Sequence, residues 1–182
     1  MSGGDGHDHL SDAWGNDTLT GGSGTDTLIS HLGDNALSGG GEDDVICTGL
    51  GDDKLDGGSG NILLIADYPL RFARGNDTLI GGEGNDKLDG GKSADEFVFF
   101  LDQTGNDTIA QFDTDGTLLG AGFKVGQDQI HLITGTGTTQ EYTLHNTEQG
   151  SVLTWGSSQI LIYGVSEDDF GFFDIVMEET WT

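Results

Sequence analysis

A nine-residue unit recurs from Gly3 to Ala110 and limits what this chain can fold into. The unit opens with Gly-Gly, keeps Gly at its fourth place and Asp at its sixth, and carries an aliphatic residue at its eighth; Gly81 to Asp89, GGEGNDKLD, is a complete copy. The first six residues suit a tight turn with positive φ angles. The last three suit a short strand in which the eighth-place side chain points one way and its neighbours the other. Turn and strand in alternation make a coil, and because no coil buries its own aliphatic residue, stacked coils must do so together.

Seven units start in phase at residues 3, 12, 21, 30, 39, 48 and 57. Their sixth places read Asp8, Asp17, Asp26, Asn35, Asp44, Asp53 and Ile62, and their eighth places Leu10, Leu19, Leu28, Leu37, Ile46, Leu55 and Leu64. The phase slips by six residues at Ala66 to Arg71, resumes at Phe72, Gly81 and Gly90, and slips by three before a last copy at 102 to 110. Disorder would not hold an aliphatic residue at the eighth place of copy after copy.

The copies GGDGHDHLS (3 to 11), GGSGTDTLI (21 to 29) and GGEGNDKLD (81 to 89) resemble the RTX family of calcium-binding repeats, consensus GGxGxDxUx. The resemblance implies an all-β chain, a right-handed parallel β-roll with two units per turn, followed by an antiparallel cap. It further implies that sixth-place residues one turn apart share calcium ions. One column would run Asp8, Asp26, Asp44, Ile62, Asp86 and Asp107, and the other Asp17, Asn35, Asp53, Asp77 and Asp95. Main-chain carbonyls of Gly-rich turns such as Gly4, Gly6, Gly22, Gly24, Gly82 and Gly84 would add oxygen ligands, which suits the six to eight that calcium takes and fits magnesium poorly. The pairings imply roughly six to eight ions.

The charge balance agrees. With 6 Lys plus Arg against 32 Asp plus Glu, the formal net charge is -26, which excludes nucleic-acid binding by phosphate neutralisation and opposes compaction through self-repulsion. A cation must join the folded state. There are 33 Gly without a Gly-X-Y period, so the chain is not collagen-like. No apolar run reaches the ~18 residues of a membrane span, and the first ten residues lack the basic and apolar regions of a Sec signal peptide.

Departures from the pattern matter. Asn35 lacks the charge and Ile62 the ligand, so sites flanking them should be weak or empty. Glu42 and Ser93 replace the fourth-place Gly, so those turns are expected to be reshaped. Outward places on one edge grow apolar through Val45, Cys47, Leu63 and Ile65, a candidate contact surface. Either the slip segment Tyr68-Pro69-Leu70-Arg71-Phe72 folds over it or another chain does.

Past Phe97, the runs 97 to 100, 107 to 112 and 126 to 132 read as strands, and 141 to 146, 151 to 155 and 159 to 165 as an antiparallel meander. The boundaries are thus a roll over 3–110 and a cap over 111–182. The tail DDFGFFDIVMEETWT resembles the C-terminal signals of type I exported proteins.

Catalytic residues are not expected. HExxH, GxSxG and GxGxxG are absent, and Gly91-Lys92-Ser93 imitates a P-loop end with Asp86 where the opening Gly should be. His7, His9, His31, His131 and His145 are scattered, and His7 and His9 read as surface histidines in preference to a transition-metal pair; Cys47 reads as a packed thiol, and Trp14, Trp155 and Trp181 lie too far apart in sequence to form one sugar platform. The expectation is a secreted, non-enzymatic calcium-binding protein at or outside a bacterial surface, exported by a type I apparatus and self-assembling into a fibre or matrix. The alternative is the C-terminal secretion and folding module of a larger protease, lipase, epimerase or adhesin.

Overall fold

The structure is a computed structural model that describes residues 1–68, 73–112, 118–120, 127–134, 142–164 and 175–178. In chain order the strands of the repeats are β1 (Ser2–Asp5), β2 (His9–Asp12), β3 (Thr18–Ser23), β4 (Thr27–Leu32), β5 (Ala36–Gly41) and β6 (Val45–Leu50). They continue with β7 (Lys54–Ser59), β8 (Leu63–Ile65), β9 (Thr78–Glu83), β10 (Lys87–Asp89), β11 (Glu96–Phe100) and β12 (Asn106–Ile109). Seven more follow: β13 (Gln111–Phe112), β14 (Leu118–Gly120), β15 (Gln129–Ile133), β16 (Thr143–Asn146), β17 (Gly150–Trp155), β18 (Ser158–Tyr163) and β19 (Ile175–Glu178).

Odd and even strands of the repeats separate into two sheets. One runs β1-β3-β5-β7-β9-β11-β15-β19 and the other β16-β17-β18-β12-β10-β8-β6-β4-β2. All pairs from β1 to β12 within these two sheets are parallel and in register, so that Leu19, Leu37, Leu55, Leu79 and Phe97 align in one sheet. Leu10, Leu28, Ile46, Leu64, Leu88 and Ile109 align in the other. The two ladders face each other as one core cluster; burying a side chain of this size stabilises the fold by about 1.5–3 kcal/mol. The slips do not disturb the register. Gly58 pairs Gly82 and Leu64 pairs Leu88, 24 residues apart instead of 18, so the six extra residues are looped out between β8 and β9.

The strands are longer than the expected three residues. β3 to β7 and β9 each span six, running through the first three places of the next unit, so the turn is confined to the fourth to sixth places. The first Gly faces inward, where a Cβ on Gly21 would overlap Asp26 Oδ2 and lie 2.6 Å from the Gly39 carbonyl oxygen. The second takes φ of 123° at Gly22, a conformation that costs glycine nothing sterically. The Glu42 turn keeps the six-residue β5 before it, whereas the Ser93 turn is reshaped: β10 ends at Asp89, before the Gly-Gly, and the Lys92 N–H donates to Asp67 Oδ2 at 2.7 Å. Glu42 and Ser93 hold φ of 74° and 84°, in the left-handed region of the glycines they replace.

Beyond the repeats the parallel order persists. β15 adds to β11 and β19 to β15 in parallel, while β18 adds in parallel to β12. Only β16, β17 and β18 form the expected antiparallel meander. Trp155 and Leu153 extend the core at that end, with the Trp155 ring centroid 6.4 Å from that of Phe99.

The apolar outer face of the β8 sheet is enclosed by the chain itself. Cys47, Leu63, Ile65 and Ala110 are buried in one cluster, with Ile29, Val45, Tyr68 and Tyr163 packed around them. The Tyr68 N–H donates to the Thr48 carbonyl at 2.6 Å, which ties the start of the slip segment to β6. Pro69 to Phe72 lie outside the described residues. Val45, Cys47, Leu63 and Ile65 therefore pack within the chain rather than present a contact surface.

Candidate metal sites in the stacked turns

Apart from Asp107, which lies within β12, each sixth-place residue sits at the last turn position before a strand, where register places it directly above its counterpart. Its side-chain Oδ1 accepts the main-chain N–H of the sixth-place residue one coil earlier. In the turns that lead into β2, β4 and β6, Asp26 accepts from Asp8 at 2.8 Å and Asp44 from Asp26 at 2.7 Å. The same column resumes with Asp86 accepting from Ile62 at 2.9 Å and Asp107 from Asp86 at 2.9 Å. In the turns on the opposite edge the series is unbroken: Asn35 accepts from Asp17, Asp53 from Asn35, Asp77 from Asp53 and Asp95 from Asp77, at 2.8 to 3.1 Å. Both columns follow the order expected from the sequence, with the slip looped out.

Oδ1 is thus used by the protein, but Oδ2 is not. Asp8, Asp17, Asp26, Asp44, Asp53, Asp77 and Asp86 each have a buried Oδ2 with no hydrogen-bond partner. A buried, unpaired carboxylate oxygen is costly, and a column of them is costlier because like charges sit one coil apart. Main-chain oxygens line the same turns. Carbonyls of Gly4 and Gly6 face Gly22 and Gly24 so closely that a Cβ at either glycine would overlap them, and those of Gly58 and Gly60 face Gly82 and Gly84 in the same way. Among the described residues no group of three or more His, Cys, Asp or Glu side chains could hold a metal by itself. A hard cation here would take one carboxylate oxygen per rung and complete its shell from main-chain carbonyls, the donor set that suits calcium. The buried Oδ2 atoms fit such an ion; bound, it would supply the positive charge that the turns lack.

The carboxylates show the strain of their surroundings. Burial, opposed by the N–H bond and reinforced by neighbouring carboxylates, pushes Asp77 up from 3.8 to about 9 and Asp107 to about 7. Burial does the same to Asp44, Asp53 and Asp86, each to about 6. Such groups resist ionisation unless a cation compensates. Cys47 is a different case: burial alone pushes its thiol up to about 12, so it is packed rather than nucleophilic.

The two exceptions are built differently. Asn35 keeps the ladder bond through Oδ1 and turns its Nδ2 onto the Gly33 carbonyl at 2.7 Å. Ile62 offers Asp44 no acceptor and is buried in the core cluster.

Two features were not anticipated from the sequence. Asp128 is buried and accepts the Asp95 N–H at 3.1 Å, extending the second column by one rung. Its signal was present, since Asp128-Gln129-Ile130 repeats the sixth-to-eighth-place phrase. A second ladder uses the fifth places in the opposite sense. Asp34 N–H donates to Asn16 Oδ1, Asp52 to Asp34, Asn76 to Asp52 and Ala94 to Asn76. On the other edge Asn61 donates to Asp43, Asn85 to Asn61 and Asn106 to Asn85. The recurring Asn and Asp at these places was the available clue.

Of the histidines, His131 is buried with Nδ1 2.9 Å from Glu178 Oε1; this pair joins β19 to β15. Trp155 is buried in the core and Trp14 is exposed, so the two do not form one platform, and Trp181 lies outside the described residues.

Residues 1–28, 30–61 and 73–98 match the model of the RTX calcium-binding nonapeptide repeat (four copies). No curated protein sequence matches the chain. Among solved structures it is similar to the extracellular lipase LipA from Serratia marcescens, with 21% identity and a TM-score of 0.51 over 96% of this chain and 39% of that one. At that identity the likeness speaks for the fold, and the chain spans well under half of the lipase. Nonad spacing, paired parallel sheets and two aspartate columns with the family match place this chain in the RTX calcium-binding nonapeptide repeat family.

Proposed function

We propose that this chain is the calcium-dependent folding module of a larger secreted bacterial protein, and that the module is itself non-catalytic. The observation that carries this is the series of buried Oδ2 atoms, repeated one coil apart and left unpaired by the protein. Sites of this kind outside cells bind calcium at ~10⁻⁴ to 10⁻³ M, so most coils stay unfolded at cytosolic calcium, and the roll completes its folding outside after export by a type I apparatus. Calcium binding then supplies folding free energy directly. The metal set is Asp8, Asp17, Asp26, Asp44, Asp53, Asp77, Asp86, Asp95 and Asp107 with the Gly carbonyls named above, to which Asp128 is added, for roughly six to eight ions.

The similarity to an extracellular lipase, of which this chain covers 39%, favours a module over a stand-alone protein. Self-assembly into a fibre through Val45, Cys47, Leu63 and Ile65 loses its basis, because Tyr68 and Tyr163 pack over that cluster. No helix among the described residues is long and apolar enough to cross a membrane. The test is calcium titration of the purified chain followed by far-UV circular dichroism, with magnesium in parallel. A cooperative gain of β signal near millimolar calcium, and not with magnesium, is expected; equal order after exhaustive chelation would refute the reading.

A further inference from the structure

The two sixth places that lack a carboxylate are not simply lost sites, because the structure fills both of them. At Gly39 a notional Cβ would overlap Asp44 Oδ2 and lie 2.7 Å from the Gly57 carbonyl oxygen. At Gly57 the same notional atom would meet Ile62 Cγ1 and Cγ2, at 2.8 and 2.9 Å, together with the Gly81 carbonyl. The aliphatic branches of Ile62 thus stand where neighbouring rungs hold the unpaired oxygen, and they join the core. On the opposite edge the Asn35 Nδ2 donates to the Gly33 carbonyl, so an amide hydrogen supplies the positive pole that other turns lack. Neither rung fits a cation, and neither needs one.

Their positions give this consequence. Asn35 precedes β5 and Ile62 precedes β8, so they bracket β5, β6 and β7. The two carboxylates inside that stretch each have a neutral neighbour in their column. Asp44 lies between Asp26 and Ile62, and Asp53 between Asn35 and Asp77. Like-charge repulsion is therefore halved there relative to Asp26 or Asp77, which have aspartates on both sides. A second apolar layer joins β6 of this stretch to β8, the strand that follows Ile62. β8 is buried along its whole length, and the outer cluster of Cys47, Leu63, Ile65 and Ala110 is closed by Tyr68 and Tyr163. A strand packed on both faces draws its stability from apolar burial rather than from ions.

We propose that the middle of the roll, centred on Ile62 and β8, is a folding seed that does not require a cation, from which the calcium-dependent coils grow toward both ends. The inference rests on the calcium reading above for the flanking coils, and it divides the roll into two kinds of coil where the repeat pattern alone implies one. Uniform repeats would leave the chain without order until ions arrive; a central seed fixes the register before they do.

Hydrogen–deuterium exchange of the full chain, in chelator and at millimolar calcium, tests it. Amides of Val45–Leu50 and Leu63–Ile65 are expected to exchange at rates that change less than about threefold on chelation, whereas those of Thr18–Ser23 accelerate at least about a hundredfold. Ile62→Asp should abolish the protection of β6 and β8 in chelator and raise calcium stoichiometry by one, with Ile62→Val keeping wild-type behaviour in both. Chelation that accelerates β6 and β8 as much as β3 overturns the seed and leaves the calcium reading standing. Exchange unaffected by calcium anywhere overturns both, and Ile62→Asp with unchanged protection in chelator overturns the seed alone.

Discussion

The two turn columns carry the same repeat and depart from it in opposite ways. In one, Asn35 gives up the charge but keeps the hydrogen-bond ladder, which runs unbroken from Asp17 to Asp128. In the other, Ile62 gives up both charge and acceptor, so the ladder stops at Asp44 and restarts at Ile62, while the core gains a side chain. The sixth-place aspartate therefore does two separable jobs. Oδ1 holds the N–H of the previous coil, and Oδ2 is left over for a cation.

The largest effect should come from removing calcium. Chelation is expected to erase most of the far-UV β signal and to broaden near-UV signals, and readdition to restore both; retention of the signal would mean that the columns do not need ions.

Acid separates proton from cation as the neutralising partner. Folding raises Asp44, Asp53 and Asp86 to about 6, Asp107 to about 7 and Asp77 to about 9, from 3.8. Without calcium, folding therefore favours the protonated forms: stability is fullest below about pH 4 and is lost as pH rises through the folded values. Chelated protein should gain β structure on acidification from pH 8 to 4, and calcium-loaded protein should lose calcium over the same range. A pH scan by circular dichroism in both buffers checks the opposite signs.

Splitting the two oxygens sharpens the comparison further. Asp77→Ala removes the acceptor of a buried N–H as well as the charge, and leaving that group unsatisfied costs about 1–3 kcal/mol besides lost calcium. Asp77→Asn imitates Asn35 and should lose calcium stoichiometry with a smaller fall in Tm. Equal Tm losses for both variants would show that the ladder bond contributes nothing.

Asn35→Asp is a gain-of-site variant. Calorimetry should show one more calcium bound and a raised midpoint of the calcium titration, because another carboxylate must be neutralised before the turn closes. An unchanged stoichiometry would mean that the Gly33 carbonyl, rather than the missing charge, decides that turn.

The smallest effect concerns backbone strain alone. Ser93→Gly and Glu42→Gly relieve side chains held at φ of 84° and 74°, a conformation that costs a non-glycine residue roughly 1–2 kcal/mol. Each should raise the Tm of the calcium-loaded protein by about 2–4 °C, measured by scanning calorimetry.

Much of this was legible in the repeat. Leu or Ile at the eighth place and Asp at the sixth required a stacked core with carboxylates in columns, and the column order held on the condition that the six-residue slip is looped out, as it is. Less legible were features in which one residue type serves several roles. Asn and Asp at the fifth place resemble ordinary turn residues until stacking shows their side chains bonding the next coil. Asp128 stands 33 residues after Asp95, too far for the nonad count to reach. The lengthened strands followed from inward glycines, which read as turn residues in sequence.

By itself the sequence determined the period, the inner aliphatic ladders and the need for a cation, because these follow from residue type and spacing along one chain. Tertiary structure alone decided what fills the places of Asn35 and Ile62, and that Tyr68 and Tyr163 enclose the outer face of β8. Those outcomes depend on which atoms from distant coils meet in a space fixed only once the coils are stacked.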